Sequence, residues 1–248
     1  MVQAHIEWHK PDRNTEHFDS LISSLKGRDL IVLPEMWSTG FTMKAHLFES
    51  SAQKAVDHMK KWSLDCGAAI AGSIIAKEGD HYYNRLYVTK GGEILATYDK
   101  RHLFAYSGED RSFKAGNEKK IIDLNGWRIC LNICYDLRFP VWARNYEDYD
   151  VLIYSANWPD KRNLAWSSLL RARAIENQSY VLGVNCFGED AWHNHYSGTS
   201  MAVSFDGELI SELAKGEQIF HLDLDKNSLN EFRKAFPFLQ DRDPIEFI

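Results

Sequence analysis

Short runs rich in β-branched and aromatic residues alternate with amphipathic helical stretches along the whole chain of 248 residues. No proline-, glycine- or serine-rich linker, internal repeat or low-complexity tract interrupts this alternation. Chains with this pattern build α/β proteins, and one α/β domain routinely reaches this length. The sequence therefore predicts a single domain over residues 1–248.

Hydrophobic periodicity and turn residues predict where the individual elements lie. Strands are predicted at 3–8, 29–33, 68–76, 82–89, 93–98, 127–133, 151–155, 180–185, 198–205, 208–213 and 218–222, and helices at 14–25, 52–66, 141–146 and 164–177. Two interleaved β/α series indicate two sheets packed face to face with helices outside, a four-layer α-β-β-α sandwich, which periodicity alone does not separate from a doubly wound sheet. The aromatic and proline-containing tail, 236–248, suits either an extended arm on a neighbouring surface or subunit, or a frayed terminus.

Charge and cysteine usage exclude several classes of protein. The formal net charge of -6 argues against nucleic acid as a partner, because binding a phosphate backbone requires clustered excess lysine and arginine. No apolar run approaches the ~20 residues needed to span a bilayer, and the first residues lack a basic segment followed by an apolar one. The four cysteines show neither zinc-site nor disulfide spacing, so a cytoplasmic location is expected.

Residue types able to carry chemistry occur where predicted strands give way to loops, the place where rigid scaffolds expose functional side chains. Cys134 follows the strand predicted at 127–133 and precedes a helical stretch, so helix N-terminal amides would stabilise its thiolate. Glu35 follows Pro34 at the end of an apolar strand, partly out of water, which suits a general base. Lys100 ends a strand, although a lysine there could equally be a solvated strand end. Taken singly, these residues decide little.

Taken together, the motifs that contain these residues resemble those of the nitrilase superfamily of carbon–nitrogen hydrolases. The resemblance covers most of the chain and rests on Leu-Pro-Glu at 33–35, Tyr-Asp-Lys at 98–100, His-Leu-Phe at 102–104, Gly-Glu at 108–109, Lys-Ala-Gly at 114–116, Cys-Tyr-Asp-Leu-Arg-Phe-Pro at 134–140, Ala-Asn-Trp at 156–158 and Arg-Ala-Arg-Ala-Ile-Glu-Asn at 171–177. It implies the α-β-β-α sandwich, and a catalytic triad of Glu35 as base, Lys100 as electrophilic stabiliser and Cys134 as nucleophile. Glu109 matches a second glutamate that the family keeps beside the triad to orient substrate and lysine.

The branch of the family that the chain most resembles is the ω-amidases, which cleave the terminal amide of 2-oxoglutaramate or 2-oxosuccinamate. The resemblance implies hydrolysis through an acyl thioester, with no metal or organic cofactor, and an oxyanion held by Lys100 and a backbone N–H, expected to be that of Tyr135. A small-molecule amide is the expected partner. Because the family commonly pairs subunits, a homodimer or higher homo-oligomer is expected.

Four residues are candidates for binding the substrate. Arg138 could grip a carboxylate bidentately or could instead brace Asp136 or a helix end, and Lys161 in a following loop is a weaker second candidate. Trp158 and Phe104, together with Tyr106, could wall the pocket, although aromatic residues lie in the core by default.

Four other functions are to be considered from the sequence. A nitrilase or an N-carbamoyl-amino-acid amidohydrolase would use the same triad with a different pocket. A metal-dependent hydrolase is suggested by His193 and His195, but no third ligand of suitable spacing is evident. A catalytically silent scaffold would be expected to have lost Glu35, Lys100 or Cys134, and all three are present.

Overall fold

The strands form two main sheets in the computed structural model, which describes residues 1–244. The smaller sheet has four strands in the order β2-β3-β4-β5: β2 (Leu30–Val32), β3 (Ala69–Glu78), β4 (His81–Lys90) and β5 (Glu93–Asp99). Strand β2 pairs parallel with β3, and the remaining pairs are antiparallel. The parallel pair requires a crossover, which the helix between β2 and β3 supplies.

The larger sheet has six strands in the order β13-β12-β9-β8-β7-β6. Its strands are β6 (Lys120–Leu124), β7 (Trp127–Ile133), β8 (Val151–Ala156), β9 (Tyr180–Asn185), β12 (Met201–Val203) and β13 (Leu209–Glu212). The three central strands, β7, β8 and β9, run parallel, so their carboxyl ends meet at one edge of the sheet. Two short pairs lie outside both sheets: β1 (Val2–Gln3) with β14 (Gln218–Ile219), and β10 (Phe187–Glu189) with β11 (His195–Ser197).

Six α-helices lie within the described residues. They are α1 (Pro11–Ile22), α2 (Glu49–Cys66), α3 (Glu109–Ser112), α4 (Pro140–Ala143), α5 (Asn163–Asn177) and α6 (Lys226–Ala235). One apolar cluster joins the two sheets, for example Leu86 and Tyr98 with Leu131 and Ile153. A second packs α1 and α2 on the smaller sheet, and a third packs α5 on the larger. These three clusters confirm the predicted α-β-β-α sandwich.

The predicted elements agree with the structure in the core and are wrong in extent at the edges. The segment predicted as a strand at 3–8 forms a strand only at Val2–Gln3. Side chains rather than a neighbouring strand accept from two of its backbone donors: His5 N donates to Glu217 (2.8 Å) and Glu7 N donates to Asn14 (2.8 Å). The helix predicted at 14–25 begins at Pro11, since proline is preorganised for the first helical turn.

Late strands are also shorter than predicted, and four features were missed. The segments predicted at 198–205 and 218–222 are strands only at Met201–Val203 and Gln218–Ile219. Strand β6, the β10–β11 hairpin, helix α3 and helix α6 were not predicted, because the first three are short and α6 is strongly polar.

The C-terminal tail lies partly against the chain's own surface. After α6, the Tyr146 hydroxyl donates to the carbonyl of Asp243 (2.6 Å), while Phe236 and Phe238 are exposed. The end of the predicted arm, 245–248, lies outside the described residues, and its packing on another subunit stays a prediction. None of the helices within residues 1–244 is long and apolar enough to cross a membrane.

Candidate active site

Both sheets contribute to one site through their strand ends. Glu35 follows β2, and Lys100 follows β5, both in the smaller sheet; Cys134 follows β7 in the larger one. Glu109 opens the short helix α3, directly after Gly108. The two-sheet packing therefore brings together residues that are up to a hundred positions apart in the sequence.

Glu35 is fully buried and held from three directions. Its Oε1 accepts hydrogen bonds from Lys100 Nζ (2.9 Å) and Asn84 Nδ2 (2.7 Å), and its Oε2 accepts from the backbone N–H of Asn157 (2.9 Å). The Asn157 side chain also donates to the carbonyl of Glu35 (2.7 Å). These contacts fix the carboxylate so that it can move a proton without reorganising.

Lys100 lies between two carboxylates in the protein interior. Its Nζ is 2.9 Å from Glu35 Oε1, 3.0 Å from Glu109 Oε1 and 2.9 Å from Glu109 Oε2. Burial alone lowers the pKa of Lys100, but the charges of Glu109 and Glu35 outweigh it and hold the pKa above the ordinary value. The side chain is therefore a fixed ammonium at neutral pH.

Glu109 is constrained on both of its oxygens. Besides Lys100, it accepts from the backbone N–H of Phe104 (2.6 Å) and from Asn84 Nδ2 (3.1 Å). Burial raises the pKa of Glu109, the Lys100 ammonium opposes the rise, and the Glu35 charge adds to it. Asn84 thus bridges both carboxylates, a role that sequence reasoning missed. An asparagine in the middle of a β-rich run, where it is disfavoured, was the available signal.

Cys134 occupies a strained turn at the end of β7. Its φ of 42° lies in the left-handed region, which non-glycine residues rarely adopt outside functional sites. The following helix is a five-residue 3-10 turn, Cys134–Arg138. Burial, and then the Glu35 carboxylate, raise the pKa of the Cys134 thiol well above its usual value, although Lys100 opposes them. These influences oppose the stabilisation of the thiolate that the sequence predicts from the helix N-terminal amides.

Asp136 connects the nucleophile turn to the segment after Lys100. It is fully buried, and its Oδ2 accepts from the Tyr98 hydroxyl (2.8 Å) and the Ile133 N–H (3.0 Å). Its Oδ1 contacts the N–H (2.9 Å) and Nδ1 (2.8 Å) of His102, whose ring stacks on Phe139 at 3.7 Å. Each oxygen of Asp136 therefore contacts two hydrogen-bonding groups. Through them, Asp136 joins the turn that carries Cys134 to the residues on either side of Lys100.

A cavity of about 310 Å³ opens beside Cys134 and Lys100. Its remaining lining residues include Phe41, Met43, Phe104, Tyr106, Tyr135, Arg138, Asn157, Trp158, Arg162, Asp190, Trp192 and Tyr196. Three of the four residues predicted to bind substrate therefore lie at the cavity. Lys161 does not line it: its side chain is exposed, and the next residue, Arg162, takes the position at the cavity wall.

The two histidines considered as metal ligands lie on the surface of the β10–β11 hairpin. Their side chains are 85% and 68% exposed, and both pair with Glu189. Within residues 1–244, no group of three or more histidine, cysteine, aspartate or glutamate side chains is arranged to hold a metal ion.

Comparison with known proteins identifies relatives that match nearly the whole chain. Residues 1–234 match the profile of the carbon–nitrogen hydrolase family. The chain is 42% identical to omega-amidase YafV of Escherichia coli K12 over 245 residues, which are 98% of this chain and 95% of that protein. It is 34% identical to the 2-oxoglutaramate amidase of Bacillus subtilis strain 168 over 247 residues, covering 97% and 95% of the two chains.

A solved structure shows the same architecture. XC1258 of Xanthomonas campestris, described as a CN-hydrolase superfamily protein with an arsenic adduct in its active site, superposes with a TM-score of 0.93. The two chains are 35% identical, and the match covers 100% of this chain and 97% of the other. The predicted resemblance to the nitrilase superfamily is thereby confirmed.

Proposed function

Because this chain belongs to the carbon–nitrogen hydrolase family and is an amidohydrolase acting on non-peptide C–N bonds, we propose that it is a cysteine-dependent ω-amidase. The observation that carries the proposal is the buried cluster of Glu35, Lys100 and Glu109 beside the thiol of Cys134. The proposed reaction hydrolyses the terminal amide of a 2-oxo dicarboxylic acid monoamide, such as 2-oxoglutaramate, to the acid and ammonia.

Acylation begins from a neutral thiol. Glu35 takes the proton of Cys134 as the sulfur attacks the amide carbonyl, so charge appears only when substrate is present. The resulting oxyanion is stabilised by the Lys100 ammonium and a backbone N–H, for which Tyr135, immediately after the nucleophile, is the candidate. Glu35 then gives the proton to the departing nitrogen, the C–N bond breaks, and ammonia leaves a thioester on Cys134.

Deacylation uses the same groups in reverse. Glu35 accepts a proton from water, whose oxygen attacks the thioester carbonyl, and Lys100 again stabilises the oxyanion. The C–S bond breaks, the sulfur recovers its proton from Glu35, and the acid departs. Glu109 holds Lys100 in place through two hydrogen bonds (3.0 and 2.9 Å), and the chemistry requires no metal or cofactor.

The lining of the cavity favours a small anionic substrate. Lys100, Arg138 and Arg162 are cations, the walls are largely aromatic, and the volume of about 310 Å³ lies at the small end of ligand sites. A carboxylate at the far end of the substrate would meet a guanidinium, which grips it with paired hydrogen bonds. We therefore favour an ω-monoamide over a neutral amide or nitrile.

The test is ammonia release from 2-oxoglutaramate and 2-oxosuccinamate, compared with an aliphatic nitrile and an N-carbamoyl amino acid. The expected result is a kcat/KM for the 2-oxo monoamides that exceeds the others by at least ~10²-fold. Faster turnover of the nitrile or the carbamoyl compound would assign the chain to those activities. Activity lost with a chelator, but retained after thiol alkylation, would instead favour the metal-dependent alternative at His193 and His195.

Cys134→Ala supplies the mechanistic control. It should fold normally and lose turnover entirely, because no other group can form the acyl intermediate. Cys66→Ala, which changes a cysteine outside the site, should keep full activity. Residual wild-type turnover in Cys134→Ala would contradict the proposed mechanism.

A further inference from the structure

Two guanidinium groups face the cavity, and neither takes part in any ion pair formed by residues 1–244. Each instead lies over an aromatic ring: Arg138 over Trp158 at 5.1 Å and Arg162 over Phe104 at 5.0 Å. Guanidinium groups stacked on rings are held in place while their N–H donors stay available. The cavity thus has two cationic groups that are available to an anion from outside the chain.

Asp190, the acidic residue that lines the same cavity, forms no ion pair with either arginine. Its Oδ1 accepts from the backbone N–H groups of Trp192 (2.9 Å) and Asn194 (3.0 Å). Its Oδ2 accepts from Asn194 Nδ2 (2.9 Å) and the Tyr196 hydroxyl (3.0 Å). These hydrogen bonds of Asp190 all lie within its own hairpin. Both arginines are therefore available to bind a ligand.

The two arginines differ in how firmly they are held. Arg138 is exposed, whereas Arg162 is partly buried at the end of the 3-10 turn Asp160–Arg162, directly before α5. The carbonyl of Arg162 accepts a hydrogen bond from Trp158 Nε1 (2.9 Å). A partly buried cation attracts an anion more strongly than an exposed one, because water and salt screen it less. Arg162 is thus the stronger anion site of the two.

The ring under Arg162 is also connected to the catalytic cluster. The backbone N–H of Phe104 donates to Glu109 Oε2 (2.6 Å), and the same oxygen contacts Lys100 Nζ (2.9 Å). The Glu109 carboxylate therefore positions both Phe104, whose ring lies under Arg162, and the electrophilic Lys100. A ligand held by Arg162 would lie in the same cavity as Cys134 and Lys100.

We propose that Arg162 is the specificity-determining residue of this enzyme, binding the free carboxylate of the ω-monoamide while the amide carbonyl lies at Cys134. This inference rests on the proposed function and sharpens it. Selection among amides is made by a residue outside the nucleophile motif, and Arg138 contributes only as an accessory cation at the mouth of the cavity.

The experiment compares Arg162→Met with Lys161→Met, which removes the same charge from the adjacent exposed side chain. Each is assayed on 2-oxoglutaramate and on butyramide, a neutral amide of similar size. For Arg162→Met we expect KM for 2-oxoglutaramate to rise roughly 10- to 100-fold, the loss expected when a charged hydrogen-bonding partner is removed, with kcat/KM for butyramide unchanged. Arg162→Lys should recover part of the loss, because the charge returns without the bidentate fork.

Three outcomes would overturn the assignment. They are an equal loss on both amides, which indicates a structural role; the same loss in Lys161→Met, which indicates long-range electrostatics; or a larger KM effect in Arg138→Met. Circular dichroism verifies folding, and Arg162→Gln replaces the methionine variant if that one does not fold.

A binding measurement separates this inference from the proposed function. In a Cys134→Ala background, titration calorimetry with 2-oxoglutarate should show binding weakened at least ~10-fold by Arg162→Met. If the wild-type enzyme fails to turn over 2-oxoglutaramate, the proposed function fails, yet weakened binding would still support Arg162 as a carboxylate site. Undiminished binding would refute the role of Arg162 whatever the turnover.

Discussion

At the scale of single residues, the candidate site is a cluster of ionisable side chains, and the pKa of each depends on the charges of the others. Lys100 is flanked by Glu35 and Glu109, so one buried ammonium group lies between two carboxyl groups. Burial first, and then the Glu35 carboxylate, keep the pKa of the Cys134 thiol high. The residue types were readable from the motifs, but the state of the thiol was not, because it depends on burial and on neighbours distant in sequence.

Glu109→Gln separates the electrostatic role of Glu109 from its positioning role. Removing a negative charge near the sulfur makes the thiolate less unfavourable, so the pKa of Cys134 should fall toward its ordinary value. Turnover should nevertheless drop by roughly 10²-fold, because Lys100 loses a charged partner that orients it. The pH dependence of Cys134 alkylation, followed by mass spectrometry, gives the first quantity, and ammonia release gives the second.

The matched control for that experiment is Glu118→Gln, which neutralises an exposed glutamate outside the site. It should change neither the pH dependence of Cys134 alkylation nor the rate of ammonia release. An alkylation midpoint in Glu109→Gln that stays at the wild-type pH or rises would contradict the electrostatic account.

At the scale of elements, the site depends on how two chain segments are joined. Tyr98 and His102, on either side of Lys100, share Asp136 with the turn that carries Cys134. Gly116 allows a further close approach, because a Cβ atom there would lie 2.3 Å from the carbonyl oxygen of Asp99. The sequence motifs contain all of these residues, yet adjacency along the chain does not reveal that one carboxylate connects the two motifs.

Asp136→Asn should loosen the nucleophile turn. An amide has one acceptor oxygen where the carboxylate has two, so the backbone N–H of either Ile133 or His102 must lose its acceptor. We expect the free energy of unfolding to fall by about 1–3 kcal/mol. We also expect kcat to fall with little change in KM, because the substitution affects the orientation of the Cys134 thiol more than the shape of the cavity. Urea unfolding and steady-state kinetics measure these quantities.

Asp123→Asn, an exposed position on β6, serves as the comparison and should leave both quantities unchanged. A variant at Asp136 that loses stability but keeps the wild-type kcat would show that the connection has no role in aiming the thiol.

For the whole molecule, side chains join the two sheets at the end where the candidate site lies. Ser155 in β8 donates its hydroxyl to the carbonyl of Leu33 (2.8 Å), which follows β2, and Asn157 continues the connection to Glu35. Glu35, the proposed base, therefore follows a strand of the smaller sheet, while Asn157, one of the three residues that hold its carboxylate, follows a strand of the larger one.

Ser155→Ala removes a hydrogen bond between the sheets and leaves a buried carbonyl without that donor. The expected loss is about 1–3 kcal/mol in the free energy of unfolding. Ser20→Ala deletes a hydroxyl-to-carbonyl bond of similar length (2.7 Å) on the exposed surface of α1 and should cost less than ~0.5 kcal/mol. Equal urea midpoints for the two variants would contradict a stabilising role for the connection between the sheets.

The sequence by itself determined the α/β class and the strand ends at which Glu35, Lys100 and Cys134 lie, because hydrophobic periodicity and local motifs are properties of contiguous residues. The resemblance of those motifs to a family then implied the layer architecture, which periodicity alone left open. Edge elements such as β1 were predicted too long, since side chains distant in sequence replaced their strand partners. Only the tertiary structure decided that Asn84 bridges the two glutamates, that Arg162 rather than Lys161 lines the cavity, and that burial and Glu35 raise the pKa of the Cys134 thiol. Each of these depends on distances between segments that only the packing of two sheets sets.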